Sequence, residues 1–161
     1  MSWDLDRVVA VDDRTLQFIA FEVGTDRFAL PIASVIEFRT WIEPTMMPNT
    51  PAYLRGVINV RGEIIPIYDF AARLGRGLTQ ATPRHIVILA HNQSGQTTGL
   101  LIDQVLDILS VVPEAISAMP RIEGVDAAPF LTGVVAVDAE MLGIVDVDRL
   151  VSESTLMVPG S

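Results

Sequence analysis

The chain has no cysteine and no lysine; its eleven basic residues are all arginine and face twenty Asp and Glu, a formal charge of −9. Without cysteine there is no disulfide, no thiolate metal site and no cysteine nucleophile, which fits a reducing compartment. The acidic balance, with arginines scattered singly, repels phosphate backbones, so nucleic acid is excluded as a partner and the charge reads as a device for solubility. Uninterrupted apolar runs extend only a few residues, far short of the roughly twenty that cross a bilayer, so no direct membrane insertion is expected. The opening MSWDLDRVVAVDDR carries acids where a secretory leader carries Lys or Arg, and the expected location is cytoplasmic. Half of the residues are apolar and 19% charged, enough for a sizeable core in a chain of 161 residues.

What the chain does have is an internal echo. Leu54 to Phe70, LRGVINVRGEIIPIYDF, aligns without a gap on Leu131 to Val147, LTGVVAVDAEMLGIVDV, with seven of seventeen positions identical. Upstream, FALPIASVIEF (Phe28 to Phe38) runs alongside TGLLIDQVLDI (Thr98 to Ile108), with Val35 over Val105 and Glu37 over Asp107. The first echo has an offset of 77 and the second of 70, which places seven extra residues between Val111 and Phe130, a stretch that reads as a loop. Two units of roughly sixty residues are each near the lower size for an independent core, so they are expected to pack together and share one.

The apolar segments are short, rich in β-branched residues and separated by turn signals, the pattern of a small barrel or sandwich of about ten strands. Leu16 to Val23 and Phe28 to Pro31 flank a turn at Gly24 to Arg27; His85 to Ala90 and Thr97 to Ile102 flank His91 to Gln96. Val57 to Val60 and Ile64 to Tyr68 form a hairpin around Arg61-Gly62-Glu63, matched by Val134 to Val137 and Met141 to Val145 around Asp138-Ala139-Glu140. Pro66 inside a strand predicts an edge position, or an amide side that faces solvent. Asp69 is expected to cap a helix from Phe70 to Leu74 that stops at Gly75, and Asp146 or Asp148 one from Val147 to Val151. A further helical turn is expected at Pro51 to Leu54 with Thr50 as its cap. Residues 15–151 read as one domain with approximate halves 15–74 and 85–151, a linker at 75–84 and tails at 1–14 and 152–161.

No constellation for catalysis emerges. His85 and His91 sit at the two ends of one strand, roughly 20 Å apart if extended, too far to share a metal. Ser34, Ser94, Ser110 and Ser117 lack a nucleophile-elbow context, and the glycines fit neither a phosphate loop nor a dinucleotide fingerprint. Asp103 with Asp107 more simply decorates an exposed turn than performs acid/base work.

The echo does expose an asymmetry. Glu37 keeps an acid in the second half as Asp107, whereas Arg61 becomes Asp138. Arg61 at a hairpin tip and Glu37 after Val35-Ile36 are expected to meet as an ion pair, a contact which on an ordinary surface contributes at most about 1 kcal/mol.

Taken in order, FEVGTDRFALPIASVIEF, NTPAYLRGVINVRGEIIPIYDF, TGLLIDQVLDIL and FLTGV with MLGIVDVDRL resemble the CheW family of chemotaxis coupling proteins over roughly residues 16 to 151. The resemblance implies a mainly β fold: two five-stranded SH3-like β-barrel subdomains side by side, with short helices. It implies no enzymatic activity and no cofactor. The implied partners are the regulatory domain of a CheA-type histidine kinase, met barrel end to barrel end, and the helical cytoplasmic tip of a chemoreceptor, held in the groove between barrels. Glu37 and Arg61 then correspond to a charged pair near that groove, with Val35, Gly56, Val57 and Asn59 as neighbours. An amphipathic helix in a groove needs an apolar floor and charged rims, so Val35, Ile36, Val105 and Leu106 are candidate floor residues. Trp41, Met46 and Met47 depart from the family pattern; they either form a plastic contact patch or pack under their loop, with packing preferred. Which pathway the protein serves stays open: flagellar chemotaxis, or a related array controlling pili, development or second messengers. A β-barrel that binds a small molecule is the alternative of another class.

Overall fold

The structure is a computed structural model and describes residues 15–119 and 128–151. Eleven strands make two mixed sheets. They are β1 (Leu16–Val23), β2 (Asp26–Pro31), β3 (Val35–Thr40), β4 (Leu54–Val60), β5 (Glu63–Asp69), β6 (Ile86–His91), β7 (Thr97–Ile102), β8 (Gln104–Val111), β9 (Ile116–Ala118), β10 (Leu131–Val137) and β11 (Glu140–Val145). Two short helices follow β5 and β11: α1 (Phe70–Arg73) and α2 at 147–151. All four expected hairpins form: β1 and β7 have the expected limits, and the other six strands begin or end one to three residues from theirs.

The sheets do not divide the chain at its midpoint. One has six strands in the order β8-β1-β2-β11-β10-β9, and the other five in the order β3-β6-β7-β5-β4. The opening hairpin of each half is therefore exchanged: β1–β2 completes the sheet of the second half, and β6–β7 that of the first. The repeat survives this exchange in full register. Ile67 pairs with Gly99 and Ile144 with Ala29 in the two parallel ladders, and Glu37 faces Leu89 as Asp107 faces Ala20.

Because successive residues of a strand point to opposite faces, the exchanged hairpins must be apolar on both. Val87, Leu89 and Leu101 face the interior of the five-stranded unit with Trp41, Val60, Ile65 and Ile67. Ile88, Ala90, Leu100 and Ile102 turn the other way into a central core with Phe21, Phe28, Phe70 and Phe130. Phe18, Ala20, Val111, Val135 and Leu142 fill the interior of the six-stranded unit. The units thus share a core, as their size required, and edge-to-face ring contacts such as Phe28 with Phe70 at 4.9 Å join them.

Several expectations are corrected. Pro66 lies in β5, which is interior to its sheet and not an edge. It is tolerated because Val57 spends its N–H and C=O on Thr45, on the far flank of β4, so that Val57 and Pro66 oppose each other without a hydrogen bond between them. On its other side the ladder with β7 starts only at Ile67. Pro51 to Leu54 is a single turn closed by Leu54 N–H on Pro51 C=O, and Thr50 donates its hydroxyl back to Met47 C=O instead of capping a helix. The stretch after Val111 is not all loop: Pro113–Ala115 forms a 3-10 turn and β9 adds a sixth strand, where five were expected per unit. The rest of that stretch at 120–127 lies outside the described residues, as do the tails at 1–14 and 152–161. No ladder joins the two ends of either sheet among the described residues.

Asp69 does cap α1, accepting from Ala72 N–H at 3.2 Å, with Gly75 in the left-handed region at φ 82 just beyond it. It does more. Fully buried, it also receives Arg55 Nη1 at 2.8 Å, Thr79 N–H at 2.8 Å and Thr79 Oγ1 at 2.8 Å. Arg55 in turn donates to Thr79 C=O and stacks its guanidinium 5.1 Å over Trp41. One carboxylate therefore straps the segment at 75–84 onto the five-stranded unit. Asp146 caps α2 by accepting from Arg149 N–H.

Candidate partner-binding site

The site begins with a turn. Two residues, Arg61 and Gly62, connect β4 to β5, and both have positive φ, 52 and 88. That is the type I′ hairpin geometry that matches strand twist, and Asn59 Oδ1 fastens it by accepting from Gly62 N–H at 2.9 Å. The fixed turn projects Arg61 outward, its side chain 70% exposed, where Nη2 pairs with Glu37 Oε2. Arg39 approaches the other oxygen of Glu37 at 3.7 Å.

Glu37 lies on β3 and Arg61 beside β4, the two opposite edges of the five-stranded sheet. Their contact means that the sheet is rolled until its edges approach. A second link closes the roll at its other end, where Thr45 and Val57 exchange N–H···O=C bonds of 2.9 Å. This link explains Gly56: at φ 142, a Cβ there would stand 2.4 Å from Thr45 O. Between the two links is an open cleft of about 390 Å³ that reaches the interior residues Val60, Ile67 and Val87.

The sequence-predicted residues divide into groups. Glu37 and Arg61 meet; Gly56, Val57 and Asn59 lie on β4 beside them. Val35 and Val105 are half-buried and pack on the central core. Ile36 and Leu106 are 44% and 37% exposed. The reason is a bulge: the ladder register slips between Val35 and Glu37 and, at the equivalent place, between Val105 and Asp107. Each bulge inserts one residue that leaves the alternation. Trp41 packs under its loop as expected, whereas Met46 at 78% and Met47 at 44% exposure do not. Sequence reasoning did not single out Arg39, Ile42 or Ile64, which line the cleft; adjacent isoleucines at Ile64 and Ile65 on one strand were the available signal, since one of the two must face outward.

In the six-stranded unit the turn between β10 and β11 has the same geometry, with φ of 51 at Asp138 and 67 at Ala139. There the cleft of about 310 Å³ is bordered by Asp107, Asp138 and Glu140, and Arg27 is its one base among the described residues. Asp103, considered for acid/base work, instead accepts from Gly24 N–H and faces His85 Nε2 at 3.5 Å. No group of three or more His, Asp or Glu side chains suited to a metal ion is found among the described residues, and no helix among them is long and apolar enough to cross a membrane.

A rolled five-stranded unit and a six-stranded unit that exchange their hairpins, with a charged pair at one turn, define a small interaction module of the CheW-like class. The sequence matches the CheW-like domain across residues 17–155, and the chain belongs to the CheW family. It is 41% identical over 138 residues to a probable chemotaxis protein CheW of Rhizobium etli, covering 86% of this chain and 88% of that protein. It is 42% identical over 134 residues to the chemotaxis protein CheW of Rhizobium meliloti, covering 83% and 86%. The crystal structure of the scaffolding protein TtCheW from Thermoanaerobacter tengcongensis superimposes with a TM-score of 0.75 at 27% identity, over 82% of this chain and 89% of that one.

Proposed function

We propose that this protein is a chemotaxis scaffold, a non-enzymatic adaptor that couples chemoreceptors to a CheA-type histidine kinase in the cytoplasm. The observation that carries the reading is the family match across residues 17–155, nearly the whole of the two units. The kinase's regulatory domain is the partner at the end of a unit, and the receptor's helical tip is the partner of the groove near Val35, Glu37, Gly56, Val57, Asn59, Arg61 and Val105. Glu37 and Arg61 are suited to such a role because a fixed turn holds them at the surface, where charge sets register and choice of partner more than affinity.

Titration calorimetry against the regulatory domain of the CheA-type kinase from the same genome tests this. Micromolar binding supports the adaptor; a flat titration removes that kinase as the partner. Arg61→Glu is expected to weaken the complex about tenfold while the melting temperature stays nearly constant, since the residue serves a surface and not the core. A parallel loss of folding and binding would sink the assignment of Arg61 to an interface.

A further inference from the structure

In the six-stranded unit, β9 lies along the outer edge of β10, with Ile116 opposite Val135 and Ser117 opposite Val134. Ala115 and Ile116 pack into the interior of that unit. The equivalent edge, that of β4, carries a single rung, Thr45 opposite Val57. Two residues before that rung, where the other unit has Ala115, stands the exposed Glu43. The cleft remains at this place, its floor the interior residues Val60, Ile67 and Val87 and its rim Ile42 and Ile64, exposed at 67% and 59%.

The main chain is prepared as well. Val57 directs its N–H and C=O outward to Thr45, so by the alternation of a strand Asn59 directs its own the same way. These groups of Asn59 have no hydrogen-bond partner among the described residues. On the facing edge Trp41 N–H bonds to His85 C=O, which by the same alternation turns the main chain of Thr40 toward the cleft.

We propose that this cleft takes an extended segment of a partner protein, laid antiparallel to β4 and one hydrogen-bonding position beyond the Thr45 rung, at Asn59. It inserts one apolar side chain over Val60, Ile67 and Val87 and pairs with the main chain of Asn59. The rim sets its polarity. Arg39 stands near the Glu37–Arg61 end and Glu43 near the Thr45 rung. A segment antiparallel to β4 enters at the first end and leaves at the second, so it carries an acid before its apolar residue and a base after it. This inference shares Asn59 and the Glu37–Arg61 end with the surface assigned above to the receptor, but it does not rest on that reading, and the test uses neither kinase nor receptor.

The test titrates the full chain with two peptides, followed by amide nitrogen–proton spectra. The first is acetyl-Asp-Thr-Ile-Thr-Lys-amide, and the second is the same with Asp and Lys exchanged. Expected are saturable shifts at the Asn59 and Thr40 amides, with the first peptide at least about fivefold tighter. Glu43→Lys, a fully surface change, is expected to abolish or invert that preference, and Ile64→Asp to weaken both peptides. Absence of a saturable shift at Asn59, equal affinity for both peptides, or a preference untouched by Glu43→Lys would overturn the proposal. So would shifts at Asn59 that grow with protein concentration alone, which would assign the cleft to a second copy of this chain.

Discussion

In the five-stranded unit the hairpin tip holds Arg61 against Glu37; in the six-stranded unit the same two positions hold Asp138 and Asp107. The strands beneath have kept their ladder register, both bulges and both type I′ turns. A pleated pair tolerates little change in its inward residues, because a slip of one position turns the whole apolar set outward. Side chains at a turn tip answer to no such constraint. The difference teaches that the scaffold was held by packing while the tips were free to change charge, and also that the units differ in what pairs with the β4 and β10 edges: a single rung in one, a three-residue strand in the other.

The largest expected break in this comparison is at the equivalent acids Asp69 and Asp146. Asp69→Ala removes the partner of a mostly buried arginine and four hydrogen bonds, and is expected to cost about 4 kcal/mol in urea unfolding, against about 1 for Asp146→Ala, which loses a cap. Equal costs would show that the strap at 75–84 adds nothing. Next come the equivalent glycines of β4 and β10, Gly56 and Gly133, each at a slip in the register of its own hairpin. Gly56→Ala combines an unfavourable φ with a contact on Thr45 O and should cost about 3 kcal/mol; Gly133→Ala, where the Cβ meets Ser117 O at 2.8 Å without a positive φ, should cost less.

Smaller effects distinguish the turns. Ala139 occupies a left-handed position that Gly62 fills in the other unit, so Ala139→Gly should stabilise by about 1 kcal/mol and Gly62→Ala destabilise by a similar amount, read as opposite shifts in melting temperature. The smallest is Asp138→Arg, which recreates opposite charges at Asp107 and should add less than about 1 kcal/mol, an increment that vanishes in high salt. If salt leaves it unchanged, the two tips are not electrostatic equivalents.

The four hairpins, the caps at Asp69 and Asp146, the Glu37–Arg61 pair and the repeat were all legible in the sequence, because each depends on neighbours in the chain or on a pattern that is repeated along it. Bulge residues were not. Ile36 and Leu106 have the composition of a groove floor, and only the ladder, which skips them, turns them out to solvent. The wider role of Asp69 was hidden for a similar reason: a cap is written within four residues, but its bonds to Arg55 and Thr79 depend on where two other segments come to lie.

By itself, then, the sequence determined the β class, the twofold repeat and the turn chemistry, since alternation and positive-φ turns are local properties with a period of two. Tertiary structure alone decided that the hairpins are exchanged between sheets, that β9 supplies a sixth strand and that the edges of the five-stranded sheet meet around a cleft. Strand partners far apart in the chain are selected by which apolar faces bury one another best. Two hairpins that are apolar on both faces could satisfy either sheet locally, and only the shared core of Phe21, Phe28, Phe70 and Phe130 makes the exchange the arrangement that leaves neither face in water.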